Sequence, residues 1–561
     1  MNFQKLFMLL LSFTLVACAP LLFRPDSSSE KPADTTQAAT VSSPPALPSI
    51  TPSPTPENTP TALPTSTPTA TPVPNPIPEV LGPDLQQFPS GYNPLTGLPA
   101  SDAETLTLPA LLVSLSHFPA SVRPQTGLSF AAQVYEIYIT EGMTRFLAVF
   151  YGNFPRNIPV LKNAPARTEP LQGNGPFLGN RIWWDENRDG IQQPYEAGLG
   201  GLQVDLLDAQ GQLVATTFSD GNGYYAFTPP PGEYAIQLHL PAGVQVTASN
   251  RGAENLDSDA DASGRIAPLR FESTDLDQDI GLLLDTQNVD LGLLQMNNPL
   301  SITNFENQAD ASLSGVRSAR EAYVPIINAF SNSCLIAASK SKEVKVNICQ
   351  NVYTKGNVNQ AGISIAEMRK LAEANRNPLR PVNYSGNLFT LQPPEAGQPA
   401  GEIQVFYSWL NQARWKYDPV AAAYWRYHDF ADPQRVGQFT PALDRLTGRP
   451  VLFTNVVVLF VEHIPRTSTI IDLNMGPGSA GKAIVFRNGM AYSNLNWTMV
   501  SEEYERQTGL TRPLRLRYPD GRPFPLAPGS TWFHVVTYGS SVAPISEGTW
   551  KLTFLAPAGT R

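Results

Sequence analysis

The chain has 561 residues, which is enough for three or four domains of ordinary size. Only 16% of the residues are charged, the net charge is −9 at pH 7, and no basic block occurs. We therefore expect no nucleic-acid partner.

The first 18 residues indicate an export signal that ends at a lipid-attachment site. Lys5 precedes an apolar run over 6–17, which is too short for an ordinary membrane span. The run ends in LVAC, which resembles the bacterial lipobox, whose cysteine is acylated and becomes the mature N-terminus. We predict a signal peptide over 1–18, lipidation at Cys18, and membrane attachment through the lipid. A plain signal peptide or an uncleaved anchor is the alternative.

Residues 19–80 consist mostly of Pro, Thr, Ser and Ala and show no apolar periodicity, so they cannot build a core. Proline-rich chains of this composition are extended. We predict a disordered N-terminal stalk between the anchor and the folded part.

The folded part begins near residue 81. ALLVSLSH at 110–117 and RFLAVFYG at 145–152 are typical of strands, whereas SFAAQVYEIYI at 129–139 fits either a strand or a helix that runs into one. From about residue 179, short strand patterns alternate with the turn signals DAQGQ, SDGNG and PPPGEY about every ten residues. This second pattern predicts an all-β sandwich.

The stretch DENRDGIQQPYE at 185–196 has the oxygen-ligand spacing of a calcium loop, with Gly190 at the sixth position for the sharp turn. The predicted ligands are Asp185, Asn187, Asp189, the Ile191 carbonyl, Gln193 and Glu196. Such a set of hard oxygen donors suits a structural Ca²⁺ ion. An acidic turn without a metal is the alternative.

The flanks of this loop, from GNRIWW through LQVDLLDAQGQ to DLDQDIGLLL, resemble the SdrD B-like domain of bacterial surface proteins, a relative of the Cna B-type fold. The resemblance implies a calcium-bound β-sandwich over 175–285, used as a rigid spacer or stalk module. It also implies a further calcium site at Asp257, Asp259 and Asp261. Spacing alone supports that site less well, because alternating Asp residues also occur in solvated turns.

The sequence around the sandwich resembles the YerB-like lipoprotein family, a domain of unknown function. The stretches that carry the resemblance are NPLTGLP at 93–99, RPQTGLSFAAQVYEIYITEGMTRFLAVF at 123–150 and GVRSAR at 315–320. In that family a short gap separates TRFLA from RSAR, whereas here about 160 residues do. The sandwich is therefore expected to be inserted into a host domain.

We expect a strand-rich α+β host with an inserted all-β sandwich of prealbumin or Cna B-like type. The predicted boundaries are 81–174 and 313–400 for the two parts of the YerB-like N-terminal domain, 175–285 for the insert, 286–312 for a connector, 401–540 for the YerB-like C-terminal domain and 541–561 for a C-terminal tail.

Several charged and hydroxyl residues of the host are concentrated beside apolar strands. They are Arg123, Glu136, Glu141, Thr144, Arg145, Arg317, Ser318 and Arg320. One interpretation is a polar cleft for an anionic or sugar ligand, since Arg suits bidentate contacts. The second interpretation is a structural network that joins strands and loops. We favour this second interpretation because nothing else in the sequence indicates a reaction.

The two downstream cysteines, Cys334 and Cys349, suggest a disulfide in an extracytoplasmic protein, with two buried thiols as the alternative. GPGSAGKA at 476–483 nearly matches a phosphate-binding loop. However, Ala483 stands where such a loop requires Ser or Thr, so we expect no nucleotide partner.

These observations favour a lipid-anchored extracytoplasmic protein at the bacterial cell surface, with a binding or structural role and a calcium-stabilised spacer. A cell-wall glycan or a surface protein is the kind of ligand that this role allows. A cell-envelope enzyme is an alternative, for which Glu136 and Glu141 are the candidates to test, although no catalytic residue can be assigned. An adhesin that uses the sandwich itself is a third hypothesis.

Overall fold

The computed structural model describes residues 77–156, 158, 167, 169–171, 173–284, 312–346, 348–352 and 361–560. The predictions for the signal peptide, for Cys18, for the stalk up to residue 76 and for the connector up to residue 311 lie outside these residues. No helix in the described part combines the length and the apolar character that a membrane crossing requires.

The first part of the host is a set of strands whose central members are almost completely buried. These strands are β1 (Val80–Leu81), β2 (Tyr92–Asn93), β3 (Leu98–Pro99), β4 (Leu111–Ser116), β5 (Gln133–Thr140) and β6 (Met143–Phe150). The ambiguous stretch at 129–139 is a strand, β5, which follows a short 3-10 turn at Leu128–Phe130. β5 and β6 form an antiparallel hairpin.

The insert is a β-sandwich, as predicted. Its strands are β7 (Leu178–Trp184), β8 (Gln203–Asp208), β9 (Leu213–Phe218), β10 (Tyr224–Phe227), β11 (Gly232–Leu238), β12 (Val244–Val246), β13 (Arg265–Phe271) and β14 (Ile280–Leu284). They form two four-stranded sheets, in the orders β10-β7-β14-β12 and β13-β11-β8-β9. Ile182 and Ile280 of the first sheet and Leu206 and Ile236 of the second belong to one buried apolar core.

The host resumes after the insert with short strands and two helices. These elements are β15 (Ser312–Ser314), α1 (Val324–Ala329), β16 (Cys334–Ala337), β17 (Ile348–Asn351), β18 (Gly362–Ser364), α2 (Ile365–Ala374), β19 (Leu388–Thr390) and β20 (Gln398–Pro399). Ser364 caps α2 by accepting a hydrogen bond from the main-chain N–H of Glu367 at 3.1 Å, because its hydroxyl satisfies a free N–H of the first turn.

The remaining part of the host is again strand-rich. It comprises β21 (Glu402–Ser408), β22 (Asn411–Asp418), β23 (Ala423–Asp429), β24 (Phe439–Pro441), β25 (Leu452–Phe453), β26 (Asn455–Phe460), β27 (His463–Pro465), β28 (Ile471–Leu473), β29 (Ala480–Arg487), β30 (Met490–Thr498), α3 (Glu503–Thr508), β31 (Arg515–Arg517), β32 (Pro525–Leu526), β33 (Thr531–Val536), β34 (Ser541–Ser546) and β35 (Thr549–Thr553). The GPGSAGKA segment leads directly into strand β29.

One eleven-stranded sheet runs through both predicted host domains. Its order is β17-β16-β4-β6-β5-β33-β26-β29-β30-β20, with β31 paired to β30. The parallel pair β5 and β33 joins the strands before the insert to those near the end of the chain. The strand NVVVLF (β26) is buried on both faces, because Val456 and Val458 enter one apolar core and Val457 and Leu459 enter the other.

The second host sheet corrects the predicted C-terminal tail. Its order is β24-β23-β22-β21-β35-β34, with β25 paired to β23. The last two strands of the chain, β34 and β35, are therefore part of this sheet. Trp550 and Leu552 alternate with exposed or half-buried neighbours and are buried in the host core, which explains why this segment is structured.

Candidate functional site

The predicted calcium loop, residues 185–196, follows β7 and packs against the segment over 247–258. Gln192 donates its main-chain N–H to the Leu256 carbonyl at 2.5 Å, and Ile191 forms an isolated β-bridge with Asp257. The sandwich therefore supplies both walls around the loop, where a helix pair supplies them in the usual calcium loop.

Asp185 is the central carboxylate of the loop and is 1% exposed. It accepts hydrogen bonds from the main-chain N–H groups of Arg188 (2.6 Å) and Gly190 (2.9 Å), and from the Thr247 hydroxyl (2.5 Å). Gly190 has φ +80°, and a Cβ there would lie 2.5 Å from the Ala248 carbonyl oxygen, so the sharp turn requires glycine.

The other predicted side chains fold over the same loop. Asp189 accepts hydrogen bonds from the side-chain amides of Asn187 (2.9 Å) and Gln193 (2.8 Å). Glu196, 1% exposed, accepts from the main-chain N–H groups of Glu186 (2.9 Å) and Gln193 (3.0 Å). Each member of the predicted set thus lies in the one loop.

The electrostatics of the loop fit a bound cation. Burial raises the pKa of Glu196 to about 8, and the charges of Asp185 and Asp189 add to this increase. The Oε1 atom of Gln193 is buried and has no hydrogen-bond partner among the described residues. Crowded carboxylates and an unsatisfied buried oxygen are what a hard cation such as Ca²⁺ stabilises.

In the described part of the chain, no group of three or more His, Cys, Asp or Glu side chains is placed to hold a metal. The carboxylates of Asp185, Asp189 and Glu196 are among these side chains and do not form such a group here. The other donors predicted for this loop are the amides of Asn187 and Gln193 and the carbonyl of Ile191. Asp185, Asn187, Asp189, Ile191, Gln193 and Glu196 are the residues that would hold Ca²⁺, and the ion would supply positive charge to them.

A second acidic pair lies on the same sandwich and was only half predicted. Asp259 accepts a hydrogen bond from the main-chain N–H of Asp279 at 2.6 Å, and Asp279 accepts one from the N–H of Arg181 at 3.0 Å. Burial raises the pKa of Asp259 to about 7 and that of Asp279 well above its usual range. Asp279 was missed, although the alternating DLDQD at 275–279 is a signal that could have indicated it.

Asp257, Asp259 and Asp261 have different surroundings, although the charge of Asp257 contributes to the raised pKa of Asp259. Asp257 lies against the first loop, accepts from the Gly252 N–H at 2.9 Å, and has one buried oxygen without a partner among the described residues. Asp261 instead caps its own turn, accepting hydrogen bonds from Ser263 and Arg265 at the surface. The calcium site at Asp257, Asp259 and Asp261 stays a prediction.

Part of the predicted ligand cluster lies in the interior of the host. Glu136, 1% exposed, accepts hydrogen bonds from the Thr144 hydroxyl (2.9 Å) and the Trp532 indole N–H (3.2 Å). One of its oxygens lies 3.2 Å from the Arg426 guanidinium and 3.4 Å from His534 Nδ1. Such a closed network supports the structural interpretation for Glu136 and Thr144.

Arg123 and Glu141 have different surroundings from each other. Arg123 forms a buried ion pair with Asp429 at 3.0 Å, and both side chains are 4% exposed. Glu141 is exposed at the tip of the β5–β6 hairpin, with φ 49°. Glu136 is thus enclosed and Glu141 exposed at a turn, so the two carboxylates do not lie in one site.

The four remaining cluster residues meet on the other face of the sheet. Arg145 donates to the Ser318 carbonyl at 3.0 Å, and Arg317 donates to the Ser116 hydroxyl at 3.0 Å. Ser318 and Arg320 line a cleft of about 360 Å³, together with residues 339–341 and 469–471. We refer to it as the serine–arginine cleft.

A larger groove of about 950 Å³ lies elsewhere on the host, between β29, β30 and the loop after β33. Lys482, Arg517 and Tyr538 are among its lining residues. The charge of Arg517 is compensated by Glu502 at 2.8 Å. None of the residues predicted from the sequence lies in this groove.

The insert is held against the host by polar and apolar contacts. Arg167 bridges Asp220 of the insert (3.2 Å) and Asp418 of the host (3.4 Å). Arg449 of the host donates to the main-chain carbonyl of Gly198 in the insert. A small apolar cluster joins Phe177 and Ala226 of the insert to Val420 of the host. We call this set of contacts the junction.

Cys334 and Cys349 form a disulfide. The bond joins β16 to β17, which are neighbouring parallel strands at the edge of the eleven-stranded sheet. It therefore fixes an edge strand to the host core.

Comparison with known families gives three matches. Residues 177–282 match the SdrD B-like domain, residues 95–162 match the N-terminal domain of the protein of unknown function DUF3048, and residues 403–533 match the C-terminal domain of that family. The matches confirm the sequence-based assignment. The chain carries an SdrD B-like domain between the N- and C-terminal domains of a DUF3048 host.

Curated relatives match a short part of the chain. The bone sialoprotein-binding protein of Staphylococcus aureus (strain MRSA252) is 40% identical over 82 residues, which cover 14% of this chain and 7% of that protein. The fibrinogen-binding protein of Staphylococcus epidermidis is 39% identical over 85 residues, which cover 15% of this chain and 8% of that protein. The chain thus spans less than a tenth of the length of these relatives.

Among solved structures, the chain is similar to the crystal structure of the YerB protein from Bacillus subtilis. The sequence identity is 17% and the TM-score is 0.40, over 79% of this chain and 96% of that chain.

Proposed function

We propose that this DUF3048 protein with an SdrD B-like insert is a lipid-anchored protein of the bacterial cell surface, with a binding or structural role. Its insert serves as a calcium-stabilised spacer module. The observation that carries the proposal is the loop over 185–196, in which buried Asp185 and Glu196 lie with Asp189 on one short turn. The match of the insert to surface proteins with related domains supports the location.

Calcium has a structural role in this proposal. The loop connects β7 to the rest of the sandwich, and its carboxylates repel one another when no cation is present. The ion supplies the compensating charge, while hydrogen bonds from Gly190 and Thr247 orient Asp185. Stabilisation by a bound ion follows mass action and reaches about 2.7 kcal/mol at a hundredfold excess over Kd.

The test is thermal unfolding of the full chain in calcium and in chelator. We expect calcium to raise the Tm of the wild type, and the double variant Asp185→Asn/Glu196→Gln to lose this response. The control is Asp208→Asn, on the β8–β9 turn far from the loop in sequence. An identical melt of the wild type in calcium and in chelator would refute the calcium role.

Membrane attachment is tested separately at Cys18. We expect Cys18→Ala to move the protein from the membrane fraction to the soluble fraction, and Cys334→Ala to leave it with the membrane. Unchanged fractionation of Cys18→Ala would contradict lipid anchoring.

An adhesin is the second candidate, because two relatives of the insert are named for binding bone sialoprotein and fibrinogen. Deletion of residues 175–285 separates the two roles. Loss of attachment to immobilised fibrinogen would favour the adhesin, whereas retention of attachment would favour the spacer. The enzymatic alternative is not proposed, since Glu136 is enclosed and Glu141 stands alone at a hairpin tip.

A further inference from the structure

The serine–arginine cleft is a built cavity on the host, separate from the calcium loop. Its volume of about 360 Å³ lies within the usual range of small-ligand sites. Its walls come from four separate parts of the chain: residues 138–139 of β5, residues 318–322, residues 339–341 with Val344, and residues 469–471.

Positive charge is concentrated beside this cleft. Arg145 contacts the lining residue Ser318 by donating to its carbonyl, and it lies near Arg320 and Arg317. Burial, and then the charges of Arg320 and Arg317, lower the pKa of Arg145 to about 10, although the nearby Tyr323 opposes this shift. Arg320 and Lys340 line the cleft together with one carboxylate, that of Glu321, so the lining carries a net positive charge.

Arg320 has a donor that the fold does not use. Its Nε atom is buried and has no hydrogen-bond partner in the part of the chain that the structure describes. Leaving a buried donor unsatisfied costs about 1–3 kcal/mol, and more for a charged group. An unused donor of this kind calls for an explanation, and an anion bound in the cleft provides one.

Hydroxyl groups stand beside the guanidinium. Ser318 Oγ and Ser339 Oγ lie 2.8 Å apart, and Ser341 also lines the cleft. At the rim, Lys340 donates to the Val346 carbonyl at 2.8 Å. A guanidinium with neighbouring hydroxyl donors suits the several acceptor oxygens of a phosphate group.

We propose that the serine–arginine cleft binds the phosphate group of an anionic ligand, with Arg320 as the charged donor and Ser318 and Ser339 as hydroxyl donors. This site adds a ligand class to the host and does not depend on calcium binding by the insert. Its failure would leave the thermal test of the calcium loop unaffected.

The test is isothermal titration of the full chain with inorganic phosphate, with glycerol 3-phosphate and with acetate. We expect saturable binding of the first two ligands and none of acetate. Tighter binding of the ester than of phosphate identifies an ester-linked group as the ligand, and equal binding identifies the free ion. Saturable binding of acetate alone, or no saturable binding at millimolar concentrations, would overturn the proposal.

Variants assign the binding to the cleft. Arg320→Gln is expected to weaken phosphate binding at least tenfold, and Ser339→Ala at least threefold, with Ser339→Ala retained as the test if Arg320→Gln fails to fold. Arg270→Gln removes the same charge from an exposed arginine of the insert and should leave binding unchanged. Equal weakening in Arg270→Gln and Arg320→Gln would show non-specific attraction and overturn the assignment.

Discussion

Acidification should favour the folded state through Asp220, one of the two buried carboxylates of the junction. Burial raises the pKa of Asp220 from 3.8 to about 6, the Arg167 guanidinium opposes this increase, and the charge of Asp418 adds to it. Arg449 is the other charged group near Asp220. The pKa is higher in the folded than in the unfolded state, so the folded state holds more protons between these values. The stabilisation is complete below about pH 4 and is lost as the pH rises through 6.

The magnitude follows from the two pKa values. The rise in the pKa of Asp220 from 3.8 to about 6 corresponds to about 3 kcal/mol of free energy of unfolding over the whole pH range. Between pH 5 and pH 7.5, the contribution of Asp220 to the free energy of unfolding falls by about 1.4 kcal/mol. Asp220 is buried, so solvent screening takes little from this value.

The assay is urea unfolding at pH 5 and pH 7.5, at one fixed calcium concentration. The difference in free energy of unfolding between the wild type and Asp220→Asn isolates the contribution of this carboxylate. Asp208→Asn, at the β8–β9 turn, is the matched control. We expect the difference between wild type and Asp220→Asn to shift by about 1–2 kcal/mol in favour of the wild type at pH 5. No shift, or one of opposite sign, would refute the reasoning.

Two further predictions concern the host. Replacing both Cys334 and Cys349 by Ser should lower the free energy of unfolding by roughly 3 kcal/mol, since the disulfide closes a loop with a sequence separation of 15. An unchanged denaturant midpoint under oxidising conditions would contradict this prediction. Glu136→Gln should cost about 3–5 kcal/mol because it leaves the buried charge of Arg426 uncompensated, whereas Glu141→Gln should change stability by no more than about 0.5 kcal/mol. Equal effects of these two variants in chemical denaturation would argue against the buried network.

The loop over 185–196 could be located from the sequence because its donors are set by local spacing. Six positions within twelve residues necessarily fold over one turn once Gly190 allows it. Asp279 could not be assigned in this way. Its burial depends on the parallel pairing of β14 with β7, a contact between strands about a hundred residues apart in the chain.

Strand alternation places residues of the predicted ligand cluster on opposite faces of the sheet. Glu136 is paired with Phe146, whereas Arg145 is paired with Ile137. Successive residues of a strand point to opposite faces, so Glu136 enters the interior between the sheets and Arg145 contacts Ser318 on the opposite face. Glu136 and Arg145 are close in sequence, which suggested one site, but the pleat of the strands places them on opposite faces of the sheet. The alternation within QVYEIYIT and MTRFLAVF contains this information once both are known to be strands.

The connectivity of the chain also determines how it carries mechanical load. The first strand, β1, pairs with β19, and β19 pairs in parallel with β32 near the end of the chain. A pull on the segment before Val80 therefore enters the host through this three-stranded clamp, while both ends of the sandwich return to the host. The sandwich lies outside this clamp, because its eight strands pair, among the described residues, only with one another. Force that enters through β1 passes first to β19 and β32, which belong to the host.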